Sequence, residues 1–282
     1  MAAAEPGPPA GRSGGSSLRP RLLVGAGLIL LALAAIYAGA WVFTAFAALV
    51  AILLFEEWGV MHGIPRSWRK AGHGLLAVLS LFAHAGEVRM ALLLLVAMAL
   101  ALAFFASSPA PRLAPFGILY AGLPMLALIR MRDTVGGAEL VLWAMGVVWA
   151  TDILAYFTGR AIGGPRIWPA ASPNKTWAGL FGGMLGAALF ALLFARAVGW
   201  GHGALLWLLL GMVLAVVAQA GDFFESLLKR RAGGKDSGTL LPGHGGVMDR
   251  LDGLVPVACL VGLWLAFGQG GLWLAFGGGV MP

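Results

Sequence analysis

About nine apolar runs, each long enough or nearly long enough to cross a bilayer, occupy most of this 282-residue chain. Lipid offers no hydrogen-bond partner to an open N–H or C=O group, so every run is predicted to be a helix. Only 11% of the residues are charged, against about 25% in soluble domains, which is too few to cover a water-facing surface. The sequence therefore predicts an all-α integral membrane protein. The runs lie near residues 21–38, 40–58, 72–86, 88–107, 114–131, 138–157, 177–198, 203–222 and 254–275.

Composition divides the chain into three predicted parts. Residues 1–19 are rich in Pro, Gly, Ala and Ser and are predicted to form a disordered tail. Residues 20–135 would form the amino-terminal transmembrane helices, beginning with a retained first helix rather than a cleaved signal peptide. Residues 136–282 would form the carboxy-terminal transmembrane region, which carries the chemistry.

The basic residues indicate an orientation. The formal charge is +7, but the lysines and arginines lie between apolar runs, which favours membrane topology and anionic substrates over nucleic acid as a partner. The tail and the loops after the second, fourth, sixth and eighth runs hold 15 of these 19 residues. By the positive-inside rule, that side is predicted to face the cytoplasm, and we expect a multi-pass protein of the cell inner membrane.

The loop after the eighth run departs from a simple basic loop. Asp222, Ser226 and Lys229 would share one helical stripe, and Asp249 and Asp252 could face one point at the start of the ninth run. Carboxylates beside basic residues favour Mg²⁺ held for a phosphate substrate. Five of the chain's 12 acidic residues lie here: Asp222, Glu225, Asp236, Asp249 and Asp252.

Structural roles remain open for part of this loop. Glu225, Arg231 and Asp236 fit a solvated, salt-bridged loop as well as they fit a site. The segment from Lys235 to Gly238 and the Pro-Gly-His-Gly-Gly stretch around His244 supply flexible backbone that can approach phosphates closely. His244 could be a turn residue or a ligand contact.

A second polar loop follows the sixth run. Asp152 lies within an apolar helix, and Ser172, Lys175 and Thr176 precede the seventh run. Hydroxyls, an ammonium group and free N–H groups at a helix start could surround an anion. Helix capping by Ser172 and Thr176 is the structural alternative. The phosphate-binding pattern G-x-x-x-x-G-K-[ST] is absent.

Other polar residues carry weaker signals. Glu56 and Glu57, beside Trp58 at the end of the second run, are predicted to lie at the membrane interface. The histidines share no metal-ligand spacing. The single cysteine, Cys259, lies in an apolar run and excludes an internal disulfide framework.

The two polar loops resemble those of the phosphatidate cytidylyltransferase family. The segment from Ser226 to Asp252 matches every fixed position of S-x-hydrophobic-K-R, K-D-x-small and hydrophobic-P-x-H-G-G-hydrophobic-x-D-R-hydrophobic-D, at the family's spacing. D-x-x-A-Y-x-x-G-R from Asp152 and S-P-x-K-T from Ser172 also resemble the family. Ala178 stands where many members have Glu, which puts that residue's contribution to nucleotide or metal binding in doubt.

The resemblance implies a Mg²⁺-dependent nucleotidyltransferase that converts CTP and phosphatidic acid into CDP-diacylglycerol and pyrophosphate in phospholipid biosynthesis. A second cation and a homodimer are compatible with it, and membrane lipids would be further partners. The catalytic residues would be Asp222, Lys229 and Asp249, and the metal ligands Asp222, Asp249 and Asp252. The substrate-binding residues would be Ser172, Lys175, Thr176, Arg230, Lys235, Asp236, His244 and Arg250.

The alternatives to this function are a related cytidylyltransferase, a transporter and a CDP-alcohol phosphotransferase. A related cytidylyltransferase could use another lipid phosphate, such as an isoprenoid one, with an acceptor pocket in the amino-terminal helices. A transporter would scatter its buried charges over several spans and carry inverted repeats, whereas these charges cluster on one face of the last third. The D-G-x-x-A-R motif of CDP-alcohol phosphotransferases is absent.

Overall fold

A computed structural model describes residues 18–105, 111–201, 203–234, 237–238, 240 and 245–267. In these ranges the regular structure is helical, with a 3-10 turn at Pro111–Leu113 and an isolated bridge between Arg166 and Thr176, which confirms the all-α prediction. Residues 1–17 of the expected tail lie outside them. The helices are α1 Leu18–Ala38, α2 Ala40–Met61, α3 Arg66–His84, α4 Val88–Phe105, α5 Ala114–Arg132, α6 Gly137–Ile162, α7 Trp177–Ala197, α8 Ala204–Arg231, α9 Met248–Leu251 and α10 Leu254–Phe267.

Six of the described helices, α2 and α4 to α8, are long and apolar enough to cross a membrane. Each of the nine predicted runs coincides with a helix, but the remaining three fall short of that measure. The apolar parts of α1 and α10, Val24–Ala38 and Leu254–Ala266, are shorter. Helix α3 begins with the polar sequence Arg-Ser-Trp-Arg-Lys, so apolar character is confined to its second half. The count of nine spans stays a prediction.

Helix α5 forms the centre of the described bundle. It packs against α2, α3, α4, α6 and α10, and more than half of its apolar stretch is buried. Its buried side chains include Ile118, Met125 and Ile129, which are closely surrounded by apolar neighbours. The amino-terminal and carboxy-terminal helices therefore share one continuous core.

Small residues bring α6, α7 and α8 close together. A Cβ atom on Gly183 of α7 would lie 3.0 Å from the carbonyl oxygen of Thr151 on α6. A Cβ atom on Gly211 of α8 would lie only 2.5 Å from the carbonyl oxygen of Ala187 on α7. Glycine permits backbones to approach to this distance, as in other membrane helix pairs. The ends of α6 and α8 are thereby held beside the start of α7.

Several chain segments meet at one end of the bundle. The indole N–H of Trp58, near the end of α2, donates to the carbonyl oxygen of Leu113, just before α5, at 3.0 Å. Helices α6 and α8 end on this side, and α7 and α9 begin there, as the alternating connectivity requires. Both polar loops consequently lie at the same end as the end of α2.

Candidate active site

The loop between α6 and α7 folds back on itself before α7 begins. Ile167 N–H donates to the carbonyl oxygen of Lys175 at 3.0 Å, and Trp177 N–H donates to that of Pro165 at 3.1 Å. The Thr176 hydroxyl oxygen accepts the Gly179 N–H at 3.1 Å and caps the start of α7. These bonds present the Lys175 side chain next to the new helix.

Aromatic and charged contacts attach this loop to the end of α8. Lys175 forms an ion pair with Asp222, and its ammonium nitrogen also lies 4.7 Å above the centre of the Phe223 ring. The Trp168 ring lies beside the same phenylalanine, with 6.4 Å between ring centres. The two polar loops that are separate in sequence therefore form one site.

Three carboxylates gather beside that ion pair. One oxygen atom from each of Asp222, Glu225 and Asp252 lies within 4.8 Å of the others. Asp222 and Glu225 are one turn apart on α8. Asp252 lies beside these two residues because α8 packs against the α9–α10 junction at Gly221. A Cβ atom on Gly221 would lie 2.2 Å from the Asp252 carbonyl oxygen. The contact requires glycine at position 221.

Burial of these carboxylates favours a bound cation. The Glu225 side chain is 1% exposed, and its Oε1 atom has no hydrogen-bond partner among the described residues. Burial, reinforced by the negative charge of Asp222, raises the pKa of Asp252 to about 7. Buried oxygens of this kind are the ligands that Mg²⁺ prefers, together with phosphate oxygens. The donor set therefore fits a hard divalent cation.

Asp249 lies beside the carboxylate cluster rather than within it. It accepts hydrogen bonds from Lys229 Nζ at 2.7 Å, Gly246 N–H at 2.7 Å, and the Ser237 N–H and hydroxyl groups at 3.1 and 3.0 Å. Burial would raise the pKa of the Asp249 carboxyl, but these donors outweigh it and hold the pKa below its ordinary value. Lys229 Nζ also lies 3.0 Å from Glu225 Oε2. The lysine thus joins Asp249 to the cluster.

The other predicted site residues have varied surroundings. Ser172 is half-buried, and its N–H donates to the Trp168 carbonyl oxygen. Arg230 and Arg250 are exposed, on the last turn of α8 and on α9. Thr176 caps α7, as the structural alternative for this residue predicted. Its role in substrate binding stays a prediction. Three further predicted residues lie outside the described part: Lys235, Asp236 and His244.

Glu57 is a site residue that sequence reasoning missed. Its side chain is 3% exposed and therefore buried within the protein, whereas its predicted position at the depth of the membrane interface stays a prediction. Its carboxylate accepts the Val247 and Met248 N–H groups at 2.7 and 2.8 Å. In sequence, a glutamate at the end of an apolar run looks the same whether it faces the membrane interface or is buried in a site. No neighbouring residue indicates that its partners lie 190 and 191 positions away.

Comparison with known families identifies the group to which this arrangement belongs. The model described as "Cytidylyltransferase family" matches residues 19–267, which include both polar loops and the end of α2. The chain belongs to the cytidylyltransferase family. All the described site residues of this family member lie within the matched range.

Curated relatives carry a more specific name. A protein named "Phosphatidate cytidylyltransferase" from Brucella abortus biovar 1 (strain 9-941) is 48% identical over 153 residues, which cover 52% of this chain and 55% of the relative. A protein of the same name from Staphylococcus haemolyticus (strain JCSC1435) is 37% identical over 148 residues, covering 52% and 56%. The chain thus spans about half the length of the curated relatives it matches.

Proposed function

We propose that this protein transfers a cytidylyl group from CTP to phosphatidic acid, giving CDP-diacylglycerol and pyrophosphate for phospholipid biosynthesis. One observation carries the proposal: Lys175 of one loop pairs with Asp222 of the other, inside a range that matches the cytidylyltransferase family model. Membership of the family supports the cytidylyl chemistry. The names of the relatives support phosphatidic acid as acceptor.

In the reaction, a phosphate oxygen of phosphatidic acid attacks the α-phosphorus of CTP. The new bond joins that oxygen to phosphorus, and the bond between the α-phosphorus and the bridging oxygen breaks to release pyrophosphate. Two polyanions must be brought together in line, so positioning and charge neutralisation supply most of the catalysis.

Charged side chains at the site suit this task. Lys175 would bind the triphosphate, which then competes with Asp222 for the ammonium group, while Ser172 and Thr176 lie on the same loop. Lys229, fixed by Asp249 and Glu225, would lie beside the reacting phosphates. Arg230 and Arg250 add positive charge at the rim. Lys235, Asp236 and His244 remain proposed substrate contacts.

Mg²⁺ would be held by Asp222 and Asp252, and the buried free oxygen of Glu225 favours this residue as a third ligand. When bound, the ion would neutralise phosphate charge and help to orient the triphosphate. Asp249 was predicted as a ligand, and its donors favour instead a role in holding Lys229. Direct ligation by Asp249, a second cation and a homodimer stay predictions.

The proposal includes a location. Six apolar helices support a multi-pass membrane protein, and the excess of basic residues on the site's side supports a site facing the cytoplasm, where CTP is available. The cell inner membrane is the proposed compartment. Lipid from the bilayer and nucleotide from water would then meet at the ends of α6 and α8.

The test is an assay of the purified full chain in mixed micelles with labelled CTP, Mg²⁺ and phosphatidic acid. The expected products are CDP-diacylglycerol and pyrophosphate in equal amounts. Asp222→Asn should remove activity, whereas Asp133→Asn, at the opposite end of the bundle, should keep it. A labelled product with an isoprenoid phosphate but not with phosphatidic acid would refute the acceptor. No CDP-lipid with any lipid phosphate would refute the reaction.

A further inference from the structure

Glu57 ties the amino-terminal helices to the loop that precedes Asp249. It lies near the end of α2, and its carboxylate accepts from Val247 N–H, Met248 N–H and the Ser237 hydroxyl at 2.7, 2.8 and 3.3 Å. An ionised carboxylate is only an acceptor, and all three of these groups can donate to it. The buried carboxylate is therefore met by two backbone donors and by a hydroxyl group that it shares with Asp249.

Glycines shape that stretch around the carboxylate. A Cβ atom on Gly246 would lie 2.6 Å from Glu57 Oε2 and 2.0 Å from the Ser237 hydroxyl oxygen. A Cβ atom on Gly238 would lie 3.0 Å from Glu57 Oε1. A larger residue at Gly246 would have to displace the Ser237 hydroxyl or the Glu57 carboxylate. The two glycines consequently allow the backbone at positions 238 and 246 to lie close to this carboxylate.

Glu57 and Asp249 divide the donors of the loop between them. Three successive backbone N–H groups point at carboxylates, that of Gly246 at Asp249 and the next two at Glu57. The Ser237 hydroxyl lies within reach of both carboxylates, at 3.0 Å from Asp249 and 3.3 Å from Glu57, and its single proton can serve one at a time. The two acidic residues thus fix one turn from opposite sides.

We infer that Glu57 is a positioning residue for the proposed cytidylyl transfer. By anchoring the turn before Asp249, it sets where Asp249 holds Lys229, and so where that ammonium group lies relative to the carboxylate cluster. Glu57 itself is not among the three clustered carboxylates and acts through Asp249. The inference rests on the proposed function and adds a residue from the amino-terminal half, where no motif indicates chemistry.

The kinetic test compares Glu57→Gln with Glu56→Gln. Glu56 makes a matched control because it is adjacent on α2, is one-third exposed, and pairs with Arg69 and His73 instead. Glu57→Gln exposes an amide N–H₂ to backbone donors, so kcat should fall at least about tenfold while the KM for CTP stays within about threefold. Glu56→Gln should keep both constants within about twofold. A kcat for Glu57→Gln within twofold of the parent would overturn the inference.

A second measurement separates this inference from the proposed reaction. Trypsin cleaves after Lys and Arg, and Arg231 and Arg250 flank the anchored stretch. If Glu57 holds the loop, Glu57→Gln should be cut there at least about fivefold faster than Glu56→Gln, with no substrate present. Equal cleavage rates would refute the anchor. A parent protein that makes no CDP-lipid would refute the proposed function while leaving this comparison valid.

A shorter acid provides a further variant if Glu57→Gln does not fold. Glu57→Asp keeps the charge but removes one methylene, so one carboxylate can no longer reach both backbone N–H groups. We expect the kcat of Glu57→Asp to lie between those of the parent and Glu57→Gln, with an unchanged KM for CTP. If only Glu57→Asp folds, its kcat should still lie below that of the parent. Parental kcat and parental trypsin resistance in Glu57→Asp would overturn the inference.

Discussion

The ammonium nitrogen of Lys229 lies 2.7 Å from a carboxylate oxygen of Asp249, which follows it by 20 residues. The intervening chain includes residues outside the described ranges. This ion pair joins its two ends, and Ser237, between them, also bonds to Asp249. Lys229 is 14% and Asp249 10% exposed, so water screens the pair only in part. The contact therefore holds the end of α8 against the start of α9.

Asp249→Asn tests this contact. The variant loses the negative charge that holds Lys229 and directs an amide N–H₂ at a donor. A hydrogen bond to a charged group contributes about 1.5–3 kcal/mol, so turnover should fall roughly 10- to 100-fold or more. CDP-lipid formation by the purified variant measures the loss, with Asp133→Asn as control. Near-parental turnover would contradict the role given to Asp249.

Glu225→Gln tests the carboxylate cluster. The substitution keeps the shape of the side chain but removes one anionic ligand, so the Mg²⁺ concentration at half-maximal activity should rise at least about tenfold, or ~1.4 kcal/mol. A Mg²⁺ titration of the rate gives this value. Glu87→Gln, exposed at the opposite end, should leave it unchanged. A lower kcat with an unaltered Mg²⁺ dependence would mean that Glu225 acts only through Lys229.

Lys175→Met tests the link between the two loops. Methionine keeps an apolar stem against Phe223 but loses the charge that pairs with Asp222. The KM for CTP should rise roughly tenfold, whereas the KM for phosphatidic acid should stay within about twofold, because only the triphosphate uses this ammonium group. Steady-state rates at varied CTP provide the measurement. Arg196→Met, on the last turn of α7 at the far end, serves as the control. An unchanged KM for CTP would argue against triphosphate binding by Lys175.

The sequence predicted the helices well because lipid imposes helical structure on every spanning segment. It also predicted that Asp222 and Ser226 share a stripe, and the Ser226 hydroxyl indeed donates to Asp222 at 3.4 Å. The apolar run near 72–86 predicted only the later part of helix α3, Arg66–His84. Its polar first turns extend the helix back to Arg66, where local hydropathy gives no signal.

The identity of the clustered acids was harder to predict. On sequence, Glu225 fitted a solvated loop as well as a site, yet its side chain is 1% exposed. A carboxylate oxygen of Glu225 lies within 4.8 Å of one from Asp252, which is 27 positions away. The close packing of Asp252 against Gly221, 31 positions before it, brings the two acids together. Spacing within one helix identifies residues on a common face, but long-range packing decides which of them lose their water. Long-range packing likewise explains why the sequence did not identify Glu57 as a site residue.

Gly221→Ala tests whether this close packing sets the position of Asp252. The added Cβ would lie 2.2 Å from the Asp252 carbonyl oxygen and 2.5 Å from Pro256 Cγ, so the α9–α10 junction must move. Overpacking of this kind costs about 1–3 kcal/mol, and the melting temperature should fall accordingly. Because the displaced backbone carries Asp252, the Mg²⁺ concentration at half-maximal activity should rise as well.

Gly203→Ala is the matched control for this variant. Gly203 precedes the same helix, its φ is −68°, and a Cβ there would have no atom within 4 Å. Thermal unfolding followed by tryptophan fluorescence, together with a Mg²⁺ titration of activity, compares the two proteins. Loss of stability in Gly221→Ala with an unaltered Mg²⁺ dependence would mean that Asp252 is not held in place by this contact. A parental melting temperature would mean that the junction yields without cost, in which case α8 does not constrain the cluster.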